Sequence, residues 1–106
     1  MGFFDFLLPA KPPAQPVEAQ LTATVYGRVQ GVGFRWWAAG EAKSLGLVGY
    51  AKNMDDGSVE ILAQGSKSAC EQLLATVKSG DTAGNVENVQ ADVTEPIGTY
   101  KNFGIY

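Results

Sequence analysis

The sequence predicts an α+β fold, with two helices on one face of an antiparallel sheet in the order βαββαβ and a short strand added at the C-terminus. Two observations predict it. Apolar residues recur alternately with period two and with helical spacing along the chain, and an Asp-Gly turn joins the two middle strand-like runs. At 106 residues with one cysteine, the chain has enough surface to bury for a single core and cannot form an internal disulfide.

Residues 1–20 differ from all that follow. Phe3, Phe4, Phe6, Leu7 and Leu8 form an apolar tip, and Pro9, Pro12, Pro13 and Pro16 stiffen the stretch behind it. The tip is too short to cross a bilayer and lacks a secretory signal's preceding basic residue. The expectation is a flexible tail, with contact to a partner or neighbouring chain as the alternative. The folded domain is expected to occupy residues 21–106.

Leu21, Ala23, Val25, Gly27 and Val29 share one parity, with Thr22, Thr24, Tyr26, Arg28 and Gln30 on the other, which is a half-buried strand. Gly31-Val32-Gly33 breaks it, and from Phe34 the period becomes helical: Phe34, Trp37, Ala38 and Leu45 share a face, and Gly46 supplies a stop. Residues 47–53 and 58–64 read as strands around the turn Met54-Asp55-Asp56-Gly57. Ser68-x-x-Glu71 reads as a capping box opening a second helix, whose inner face carries Cys70, Leu73, Leu74 and Val77. Residues 79–85 form a loop, Val86–Val93 alternates again, and Phe103 and Ile105 mark the closing strand.

Composition narrows the chemistry. With no histidine and one cysteine, His-based zinc sites, Ser-His-Asp or Cys-His triads and multi-cysteine clusters are excluded, and no metal or cofactor is expected. A net charge of −3 argues against a broad nucleic-acid surface. The only arginines, Arg28 and Arg35, flank the glycine loop. Successive N–H groups in such a loop, the free amides of a helix N-terminus and the planar donors of Arg35 suit an anion. Glycine in a strand-to-helix connection also serves geometry alone. Asn53 ends the second strand; in a split βαβ sheet that end lies about 9–10 Å, or two strand spacings, from the end of the first. It is then either a water-holding amide facing the loop or an ordinary polar residue before a turn. Arg28, Cys70, Asp55 and Asp56 take structural readings: a strand-edge charge, a buried small hydrophobe and a solvated turn. Trp36 and Trp37 cannot both face the core.

Gly27-Arg28-Val29-Gln30-Gly31-Val32-Gly33-Phe34-Arg35, the run Gly49 to Glu60 and the C-terminal Tyr100 to Tyr106 together resemble the acylphosphatase family over about residues 21–106. The resemblance implies a ferredoxin-like α/β sandwich and hydrolysis of acyl phosphates to carboxylate and inorganic phosphate, without a metal. It implies Arg35 and Asn53 as catalytic residues, and a phosphate cradle from the backbone of Gln30, Gly31, Val32, Gly33, Phe34 and Arg35. Trp36-Trp37-Ala38, Met54 and the N-terminal tail depart from the pattern. A cytoplasmic enzyme acting on a small molecule is expected; a non-catalytic anion- or partner-binding module on the same fold is the alternative.

Overall fold

Strand β1 (Ala19–Arg28) alternates buried and half-buried residues, and its inner row (Leu21, Ala23, Val25) is almost wholly withdrawn from solvent. The structure, a computed structural model, describes residues 16–106; the expectation for the apolar, proline-rich tip and most of its stiff extension falls on residues outside that range. After β1 come α1 (Phe34–Ser44), β2 (Val48–Asn53), β3 (Val59–Gly65), α2 (Lys67–Lys78), β4 (Asn85–Thr94) and β5 (Phe103–Ile105). β1 thus begins two residues before the expected domain boundary.

The sheet order is β4-β1-β3-β2-β5. β1 runs antiparallel to β3 and β4, and β2 antiparallel to β3, so β1 and β2 point the same way with β3 between them. The four principal strands therefore form the expected antiparallel sheet. β5 adds to it by parallel pairing with β2, which makes the whole sheet mixed. Cross-strand rows follow from the registers: Leu21–Ala63–Gly49–Phe103, then Ala23–Ile61–Ala51–Ile105, then Val25–Val59–Asn53. The third row puts a polar side chain, Asn53, where the two rows below it place apolar residues or glycine.

Both helices cover the face that carries these rows. α1 packs on β2 and β5, and α2 on β1 and β4. The inner face of α1 is Phe34, Ala38, Ala39 and Ala42, with Trp37 and Leu45 packed partly against the core. Complete burial of Phe34 contributes about 1.5–3 kcal/mol of transfer free energy and fixes the first turn of the helix. Trp37 stacks at a tilt on Phe34, 5.4 Å between centroids, whereas Trp36 is 72% exposed, so the paired tryptophans do divide between core and solvent. No helix among the described residues is long and apolar enough to cross a membrane.

The second helix starts earlier than the capping-box reading expects. Ser66, in an extended conformation, is the N-cap, and its Oγ accepts from the Ala69 N–H at 3.0 Å. Ser68 lies inside the helix, where its hydroxyl accepts from Gln72 Nε2. Both serines precede the apolar run, and only the end of β3 at Gly65 decides which of them is still extended. Cys70, Leu73 and Val77 are buried as the spacing predicts, and burial pushes the Cys70 thiol above its ordinary range. Ser66→Ala should cost about 1 kcal/mol in urea-induced unfolding. Ser68→Ala should stay within about 0.5 kcal/mol of wild type, and the reverse ranking would restore Ser68 as the cap.

Candidate active site

The chain leaves β1 through a turn that only glycine accommodates easily. Gly31 and Gly33 have φ of +74° and +83°, left-handed values that cost other residues about 1–2 kcal/mol. Gly33 is also the N-cap of α1, and it offers no side-chain hydrogen bond to the helix. The first intrahelical bond runs from Trp37 N–H to Gly33 O, so the amides of Phe34, Arg35 and Trp36 have no helical acceptor. Among the described residues, no main-chain N–H from Gln30 to Trp36 has a partner. α2, by contrast, has its Ser66 cap, and neither helix carries an acidic residue in its first turn. The loop is therefore a run of free donors ending in the positive end of a helix dipole.

Three residues hold this loop in place. Val29 and Phe34, at its two ends, are buried in the core. Gly84, from the segment between α2 and β4, packs so close that a Cβ there would lie 2.4 Å from Arg28 O and 2.8 Å from Val32 Cγ2.

Arg35, half-buried on the first turn of α1, donates from Nη1 to the main-chain oxygen of Tyr106 at 2.6 Å. The same oxygen accepts from the Asn53 N–H at 3.1 Å, while Tyr106 N–H donates to Ala51 O. One oxygen, carried beyond the end of β5, thus joins the guanidinium to the end of β2. The alternation that buries Gly49 and Ala51 turns Asn53 to the helix side of the sheet, the side of Arg35. Its Oδ1 is buried and accepts no hydrogen bond from any described group. Buried acceptors are rarely left so, and an ordered water or ligand proton is the usual partner of such an atom.

Gln30 contributes more than its backbone. Its Nε2 donates to Met54 O at 2.8 Å and to Ser58 O at 2.9 Å, spanning from the glycine loop to the β2–β3 turn. That turn is braced internally by Asp56, whose carboxylate accepts from Ser58 N–H and Oγ–H; these bonds hold its pKa below the ordinary value. Asp55 and Asp56 are both exposed, as a solvated turn requires. Sequence reasoning missed two groups here, the Gln30 side chain and the Tyr106 oxygen. The terminal Tyr100–Tyr106 motif was a signal for the second; nothing local in the sequence pointed to the first.

On the other face of the sheet, Tyr50, Lys52, Tyr100 and Tyr106 line a shallow cleft. Tyr50 packs at 6.0 Å from Tyr100 and edge-on at 6.1 Å from Tyr106, and its hydroxyl donates to Glu60 Oε1 at 2.8 Å. The ring of Tyr106 can lie there because residue 104 is glycine: a Cβ at that position would be 2.8 Å from the Tyr106 hydroxyl.

The site is thus defined by a glycine-containing strand-to-helix loop of unpartnered amides on an α+β sandwich, with Arg35 and the Asn53 main chain joined through the Tyr106 oxygen. The acylphosphatase family model matches residues 21–105. The chain is 54% identical to an acylphosphatase of Mycolicibacterium smegmatis over 86 residues, covering 81% of this chain and 88% of that one. It is 49% identical to an acylphosphatase of Thermobifida fusca, covering 94% of it. The crystal structure of an acylphosphatase from Bacillus subtilis superposes with a TM-score of 0.77 at 36% identity, covering 83% of this chain and 98% of that one. This chain belongs to the acylphosphatase family.

The Tyr50 phenol is pushed up to about 12 by burial first and by the Glu60 carboxylate second. Because the folded value exceeds the ordinary 10.0, the associated stability is present below pH 10 and disappears as pH climbs through 12. Tyrosinate absorbance in alkaline titration should show one late-ionising phenol near pH 12 that Tyr50→Phe removes. A titration curve identical in the variant would contradict the assignment.

Proposed function

We propose that the free amides of the Gln30–Arg35 loop and the Arg35 guanidinium bind the phosphoryl group of an acyl phosphate, and that Asn53 orients the attacking water. The observation that carries this reading is the shared Tyr106 oxygen, which draws the guanidinium to the strand end bearing a buried amide oxygen with no partner among the described residues.

The chemistry asks little else of the protein. Water attacks phosphorus, the bond from phosphorus to the acyl oxygen breaks, and the carboxylate departs with the bonding electrons. A carboxylate is a good leaving group and needs no strong acid to protonate it. The transition state spreads negative charge over the phosphoryl oxygens, where fixed amides and a planar guanidinium lower its energy without reorganising. An amide is too weak a base to deprotonate water, so Asn53 accepts a hydrogen bond from the nucleophile while its proton passes to a phosphoryl oxygen. The products are carboxylate and inorganic phosphate.

Asn53 sits in a core-facing row of the sheet, and that placement supports its role. The reading takes residues 21–106 as the catalytic unit and the cytoplasm as its location, in keeping with a lone, buried thiol.

Hydrolysis of benzoyl phosphate tests the assignment. Arg35→Ala should lower kcat/KM by about 100- to 1,000-fold, equivalent to about 3–4 kcal/mol at the barrier, and should weaken inhibition by inorganic phosphate. Arg35→Lys should recover little, since a point charge lacks the planar donor fork. Asn53→Ala should lower kcat while leaving phosphate inhibition nearly unchanged. Equal phosphate inhibition in wild type and Arg35→Ala would remove Arg35 from the anion site. A folded wild type without turnover would favour a binding module.

A further inference from the structure

Among the described residues, the Gln30 side chain links the glycine loop to the β2–β3 turn, and the proposed reaction does not use it. We propose that Gln30 is a positioning residue, setting the place of Asn53 relative to the anion loop by gripping the two mouth carbonyls of that turn. The inference rests on the reading of Asn53 as the water-orienting residue.

The geometry has a specific form. Met54 O and Ser58 O both accept from Gln30 Nε2, at 2.8 and 2.9 Å. Met54 N–H in turn donates to Ser58 O, so the two gripped residues are the hydrogen-bonded mouth of the turn, and Met54 directly follows Asn53. A primary amide nitrogen has two hydrogens, and both are used on acceptors that cannot donate in return. The orientation of the amide is therefore unique. Ser58 is only 2% exposed, whereas Asp55, Asp56 and Gly57 at the tip are exposed. The turn is thus held at its base and free at its tip.

The choice of side chain is chemically narrow. Glutamate has the same shape but presents two acceptors to two carbonyls; lysine or arginine would bring a full charge to the junction; asparagine is shorter by a methylene. Neutral glutamine alone combines this reach with two coplanar donors. Its backbone belongs to the loop that faces the anion, so one residue contributes to both halves of the site. A loose turn lets Asn53 drift, and a misplacement of about 1 Å of a reacting partner costs up to about 100-fold in rate.

The test compares Gln30→Glu and Gln30→Met, in the full chain, with wild type, Asn53→Ala and the double variant Gln30→Met/Asn53→Ala. Readouts are benzoyl phosphate kinetics, inhibition by inorganic phosphate and the thermal melt. Both single Gln30 variants should lose about 10- to 100-fold in kcat with phosphate inhibition unchanged. In the Asn53→Ala background, Gln30→Met should cost no more than about twofold further, because a residue acting through Asn53 has nothing left to position. Full additivity, a parallel loss of phosphate inhibition or an unchanged kcat overturns the proposal. Loss of a cooperative melt in both variants overturns it too, making Gln30 a residue of the fold rather than of the site. If Asn53→Ala alone leaves kcat intact, the underlying assignment of Asn53 fails, an outcome separate from these.

Discussion

The main-chain oxygen of Tyr106 accepts from two groups that chain order does nothing to bring together, the Arg35 guanidinium on α1 and the Asn53 main-chain N–H at the end of β2. Its position is set by β5, three residues pairing parallel with β2, and by the Tyr106 N–H bond to Ala51. Arginine has four flexible side-chain torsions, and ordering them costs up to about 2 kcal/mol. A short charge-assisted bond to a fixed acceptor offsets part of that cost within the chain itself. The guanidinium is then held beside the strand end rather than sweeping through solvent.

The glycine loop follows the opposite logic, since its main-chain donors have no partners among the described residues. A helix start is ordinarily satisfied by a Ser, Thr, Asp or Asn side chain, as Ser66 does for α2. At α1 the N-cap is Gly33, and the first-turn amides remain open. Such an end is less stable in isolation than a capped one. Burial of Val29 and Phe34 on its two sides, and the close packing of Gly84 over Arg28 and Val32, hold it in shape regardless. The instability is local and the compensation is tertiary.

Much of this was legible in the chain. Period-two alternation located β1, the Asp-Gly turn located the hairpin, and the glycine run followed by a helical period located the loop. Asn53 could be placed on the same sheet edge as the loop because a split βαβ connection admits few alternatives. The second helix's cap was misplaced by two residues because Ser66 and Ser68 are locally equivalent, and the difference lies in where β3 stops pairing with β1 at Gly65. The partner and direction of β5 were likewise invisible, since a three-residue strand has no pattern that selects one edge over another.

The sequence by itself determined the order of the elements, the core-facing parity of β1 and the donor chemistry available around Arg35, because periodicity and residue type are local properties. Only the tertiary structure decided that a Tyr106 oxygen would tether Arg35 to β2 and that the Gln30 amide would grip the hairpin mouth. Both contacts join residues far apart in the chain and use main-chain acceptors, which every residue possesses. A side-chain motif such as Tyr100–Tyr106 points to a segment, but strand pairing and register select which main-chain oxygen is used.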